Sequence, residues 1–162
     1  MITSSEDIRA VRPIAENVND SKRIDPYIQE CEKLFLIPAI SPATYKLLEA
    51  DEKPEYFETL MNGGFYDNDT KYFSGLREAM GYLVYSRFAR NQNVNATAFG
   101  LVAKQGQFSE QIDYKEKIAI ANDAEKVGLT YLKQCVDFLN FGKAECDKKD
   151  FKVKSKFKVI GN

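Results

Sequence analysis

Imidazole carries most acid–base and much metal chemistry near neutral pH, and this 162-residue chain contains no histidine. That single fact removes Ser-His-Asp and Cys-His nucleophile systems and HExxH zinc sites. Cys31, Cys135 and Cys146 are too scattered in the chain to hold zinc by thiolates alone. Neither a GxxxxGK[ST] phosphate loop nor a GxGxxG fingerprint occurs, and Gly63-Gly64 is followed by Phe65-Tyr66, which reads as a turn. Asp67-Asn68-Asp69 with Glu78 at the twelfth place imitates a calcium loop. The imitation fails at Lys71, a cation in a ligand position, and at Tyr72, where the sharp bend needs glycine. The triplet is expected to cap the helix that follows. Paired carboxylates, Asp51/Glu52 and Glu55/Glu58, stand among Lys and polar residues and read as a solvated face. No metal, no cofactor and no enzymatic activity are expected.

The elements that would position such residues are easier to read than any chemistry. The length suits one domain, and 44% apolar with 29% charged residues is an ordinary globular composition. The net charge of −1 hides an asymmetry, because residues 143–162 carry seven Lys against Glu145, Asp147 and Asp150, leaving −5 on the rest. Cysteine is sparse and odd in number, which fits a reducing compartment better than a disulfide framework. The start, MITSSEDIRAVRP, lacks the basic and apolar regions of a signal peptide, and no uninterrupted apolar run is long enough to span a membrane. A soluble, cytoplasmically made chain without membrane contact is the expectation.

Thr3-Ser4-Ser5-Glu6 has capping-box spacing and predicts a short helix reaching Ile14 or Val18, with Pro13 a break or kink. Asp25-Pro26 starts a second helix, with Ile24, Ile28, Cys31 and Phe35 on one face and a stop near Pro38. Ser41-Pro42 starts a third, with Tyr45 and Leu48 inward. Tyr56, Phe57, Leu60 and Met61 allow one or two further turns before Gly63-Gly64. Leu76, Met80, Leu83, Val84 and Phe88 form the stripe of a firm helix. Asp113 opens a long last helix to about Phe141, with Ile118, Ala121, Gly128, Leu132, Cys135, Val136 and Leu139 inward and Gly142 as its stop. Tyr72, Phe73, Tyr82, Tyr85 and Phe88 read as core rather than as a partner surface. The fold class is therefore mainly α, a bundle of about five helices comprising residues 1–142, with a central loop or hairpin excursion and a basic, strand-like tail over 143–162.

Two stretches are left over. In residues 91–111, NQNVNATAFGLVAKQGQFSEQ, charge is confined to Lys104 and Glu110 around an apolar AFGLV centre. This is either a surface excursion packed on its own helices or a contact between subunits. In FKVKSKFKV, Phe151, Val153, Phe157 and Val159 alternate with Lys152, Lys154, Lys156 and Lys158, the two-residue period of a strand. Such a strand could add to a partner's sheet, form a Lys-protected edge in its own, or touch phosphates.

The order of parts resembles the small helical head-tail connector proteins of tailed phages, particularly those of Bacteroidetes phages and prophages, including crAss-like phages. The carrying stretches are IDPYIQECEKLFLIPAIS (24–41), GLREAMGYLVYSRFARNQNVNATAFGLVAKQGQFSEQ (75–111) and YLKQCVDFL (131–139), and the likeness covers about residues 3–142. It implies a non-enzymatic virion adaptor, assembled in the bacterial host cytoplasm as a homo-oligomeric ring between portal and tail, with DNA passing through without specific contact. Identical subunits, the portal protein and further tail or ring proteins are the implied partners. Under that resemblance Val94, Ala98, Phe99, Leu101, Val102 and Phe108 face a neighbouring subunit, and Phe151, Val153, Lys154, Lys156, Phe157 and Val159 dock on the portal or another partner. A helical regulatory or nucleic-acid-binding module is the alternative reading.

Overall fold

The computed structural model describes residues 2–14, 18–50, 55–91, 94–97, 100–103 and 114–154, with 94–97, 100–103 and 144–154 described by backbone alone. The fold is mainly α, as the periodicity predicts. Helix α1 (Ser5–Val11) is capped by Ser4, whose Oγ accepts the Asp7 N–H while Asp7 accepts from the Ser4 N–H. The box sits one residue later than predicted, since Thr3 is buried and only Ser4 is free to cap. α1 also ends at Val11, short of the expected Ile14 or Val18. α2 (Asp20–Arg23) then leads into α3 (Asp25–Cys31), where Pro26 occupies the first turn.

The stop expected near Pro38 does not occur there. A π-helical turn, Glu32–Leu36, follows α3 directly and α4 (Ile37–Ile40) follows that turn. The wider turn changes the hydrogen-bond pattern just before a residue that has no N–H to give, so the helix passes Pro38. It ends instead at Ser41, whose positive φ of 78° turns the chain and whose Oγ accepts the Thr44 N–H of α5 (Pro42–Glu49). Glu32, only 4% exposed, accepts from the Ile2 N–H at 2.8 Å and the Tyr45 hydroxyl at 3.0 Å. One buried carboxylate thus ties the N-terminal segment and α5 to the π turn.

α6 (Glu55–Asn62) stops at Gly63, whose φ of 80° no residue with a Cβ adopts cheaply. Here a second expectation fails. Asp67-Asn68-Asp69 does not cap a helix but turns a hairpin between β1 (Gly64–Tyr66) and β2 (Lys71–Phe73). All three residues have φ between 54° and 61°, a left-handed run that Asp and Asn tolerate best among residues with side chains.

α7 (Leu76–Asn91) and α8 (Tyr114–Lys154) form the main helix pair. They are antiparallel: Arg90 reaches Asn122 and Glu125, whereas Leu83 lies against Gly128. Leu76, Met80, Leu83 and Val84 are fully buried, and on α8 Ala121, Gly128, Leu132, Cys135 and Leu139 are buried as predicted, with Ile118 and Val136 half-buried. β3 (Val94–Thr97) and β4 (Gly100–Ala103) form the excursion, an antiparallel hairpin pairing Val94 with Ala103 and Ala96 with Leu101.

The strand-like tail is corrected in part. α8 runs through Gly142 to Lys154, so Phe151, Val153 and Lys154 are helical, while Lys156, Phe157 and Val159 lie outside the described residues. Extending a formed helix adds a hydrogen bond per residue without a new nucleation cost. The segment also places Glu145 four residues before Lys149 and Asp150 four before Lys154, the favourable order on a helix. Gly142 is not a stop; its missing side chain leaves room for the Tyr56 ring.

Candidate interaction surfaces

An aromatic cluster anchors the β1–β2 hairpin. Phe138 stacks on Phe73 at 4.4 Å and on Tyr56 at 4.7 Å, and Tyr66 meets Phe138 and Phe141 edge-on, each at 5.4 Å. The Tyr56 hydroxyl donates to the Phe138 carbonyl at 3.2 Å. Alternation then puts Phe65 and Tyr72 on the opposite face. They pair across the strands at 5.1 Å and remain 64% and 57% exposed. Tyr72 thus departs from the core role expected of it. The hairpin ends in the Asp67-Asn68-Asp69 turn, where Lys71 binds Asp67 at 3.0 Å.

At the other end of α7, a cleft of about 160 Å³ is lined by Lys22, Arg23, Pro26, Tyr27, Phe88 and Asn91. Its lining combines apolar Pro26, Tyr27 and Phe88 with the cations Lys22 and Arg23. Asn91 is the last residue of α7 before the β3–β4 hairpin, so the cleft sits at the hairpin's base. Arg90, one residue earlier, fixes that base to α8 through Asn122 at 2.7 Å and through the carboxylate of Glu125.

Of the residues expected to face a neighbour, Val94, Leu101 and Val102 belong to β3 and β4, whereas Ala98, Phe99 and Phe108 lie outside the described residues. Two features escaped the sequence reading. The exposed aromatic pair had a signal in GGFYDNDTKYF, where two aromatic doublets flank an Asx turn in hairpin fashion. The cleft had none, since Lys22 and Phe88 meet only through folding.

The interior offers little reactivity. Burial pushes the thiols of Cys31 and Cys135 up to about 12, which keeps them protonated. Burial first, and then its bond to Glu32, raise the Tyr45 hydroxyl above its ordinary value. Among the described residues no group of three or more Cys, Asp or Glu is placed to hold a metal, and no helix is long and apolar enough to cross a membrane.

Fold and surfaces together define a helical protein built on one antiparallel helix pair, with two hairpins set at opposite ends of α7. Residues 36–146 match a family of unknown function, DUF6712, and the chain belongs to that family. The matched span contains both hairpins, α7 and α8 as far as residue 146, while α1, α2 and α3 precede it. No curated protein and no solved structure matches the chain.

Proposed function

We propose that this chain is a non-enzymatic structural adaptor of a tailed-phage virion, one subunit of a homo-oligomeric ring between portal and tail through which DNA passes. The observation that carries the reading is the β3–β4 hairpin inserted between the two principal helices, within the stretch that resembles head-tail connectors. A hairpin at that place gives a subunit a ready contact for its neighbour, since a two-stranded ribbon is marginal alone and gains from being covered. A second support is α8, which continues from its last core residue, Leu139, to Lys154. Those fifteen residues add roughly 22 Å of helix, a reach suited to a partner ring. The portal is the partner assigned to this basic end.

The hairpin assignment is tested with Phe99→Asp, by mass photometry of the protein with and without the portal from the same genome. Assembly should fail in the variant, and an unchanged ring would remove the hairpin from the interface. Deleting residues 143–162 should abolish capture by immobilised portal, and full retention would remove the tail from that contact. Steep salt-dependent affinity of the free protein for duplex DNA would favour a nucleic-acid-binding module instead.

A further inference from the structure

We infer a second contact between copies of this chain, in which the β1–β2 turn of one copy seats in the Lys22/Arg23 cleft of the next. The inference rests on the ring reading and adds a contact that the β3–β4 hairpin does not supply.

The two surfaces complement each other. The turn presents acid at its tip and aromatic surface behind it. Asp67 is held by Lys71, while Asp69 has no ion-pair partner among the described residues. Phe65 and Tyr72 stand exposed beside them, on a ribbon fixed from the other face by the Phe73–Phe138 stack. The cleft is the counterpart, lined by the rings of Tyr27 and Phe88 together with Lys22 and Arg23. Among the described residues neither cation has an ion-pair partner. Its volume of about 160 Å³ is room for about five waters, enough for one side chain such as that of Asp69. Three successive left-handed residues hold that tip in one shape, so little freedom would be lost on docking.

The same molecule cannot make this contact with itself. β2 ends at Phe73, just before α7 begins, whereas Phe88 and Asn91 close the far end of that helix. The α7 axis between them is roughly 22 Å long. The contact therefore joins two copies, and it joins unlike surfaces. Head-to-tail pairing of unlike surfaces is the kind that closes into rings. The cleft lies at the α7 end that leads into the β3–β4 hairpin, whereas the turn it receives lies at the other end of α7.

The test is a charge exchange in the full chain, with or without its portal as assembly requires. Arg23→Glu and Asp69→Lys are made singly and together, each first checked for folding by its melting profile, and the half-assembly concentration is read by mass photometry. Each single variant should assemble at about tenfold higher concentration or worse, and the combined variant should recover most of the loss. If the wild type forms rings and the single variants match it, the contact is wrong and the ring reading stands. If the singles fail and the combination does not recover, the two surfaces do not meet. A wild type that stays monomeric in both conditions removes the ring and the contact together.

Discussion

Gly128→Ala sets helix propensity against packing. Alanine is better than glycine in a helix interior by about 1 kcal/mol, so the change should stabilise α8 if space were open. Space is not open. A Cβ at position 128 would lie 2.7 Å from Leu83 Cγ and 3.0 Å from the Ala79 carbonyl oxygen. The leucine can turn aside, but the carbonyl belongs to the α7 backbone and moves only with the helix. Overpacking of this kind costs about 1–3 kcal/mol, and a backbone obstacle argues for the upper part. The net loss should be about 1–2 kcal/mol, or roughly 3–6 °C in melting temperature for a chain of this size. Urea unfolding followed by circular dichroism reads it. A double-mutant cycle isolates the cause: Leu83→Ala alone should cost about 2–5 kcal/mol, and in that background Gly128→Ala should cost much less. A higher urea midpoint for Gly128→Ala in the wild-type background would refute the close approach of α7 and α8.

Phe138→Ala removes the centre of the aromatic cluster and should cost about 3–5 kcal/mol, visible as a large drop in urea midpoint. In a Cys146→Ser background, Cys31 and Cys135 should stay unreactive toward a thiol reagent at pH 8 until the protein unfolds. Because their folded values are raised from 9.0 to about 12, the stability they contribute is complete below pH 9 and is lost as pH rises toward 12. Rapid modification of the native protein would contradict their burial. Deleting residues 143–162 should lower the helical ellipticity while shifting the urea midpoint by less than about 0.5 kcal/mol in stability. Unchanged total ellipticity would contradict the helix through Lys154.

The core was legible because helical burial repeats along the chain. The stripe Leu76, Met80, Leu83, Val84 and Phe88 follows from spacing alone and is buried in the fold, as are most of the α8 positions predicted to face inward, Ile118 and Val136 being half-buried. What was misread depended on neighbours that spacing does not reveal. Pro38 looks like a helix stop until the π turn before it changes the bonding pattern. Asp67-Asn68-Asp69 suits a cap or a left-handed turn equally, and the flanking aromatic doublets decide for the hairpin. Lys alternation in the tail fits a strand, but a helix already running through Phe141 continues as far as Lys154. Of the surfaces, the β3–β4 hairpin announced itself by its lack of charge. The cationic cleft did not, because α2, α3 and α7 build it from distant residues.

The central claim is that copies of this chain form a closed ring, and the most direct measurement is the mass of the particle it forms. Co-expression with the portal from the same genome, purification, and mass photometry beside electron microscopy would read it. The account predicts a ring of 18.5 kDa subunits stacked on the portal around an open channel. A chain that remains an 18.5 kDa monomer, alone and in the portal's presence, would contradict it.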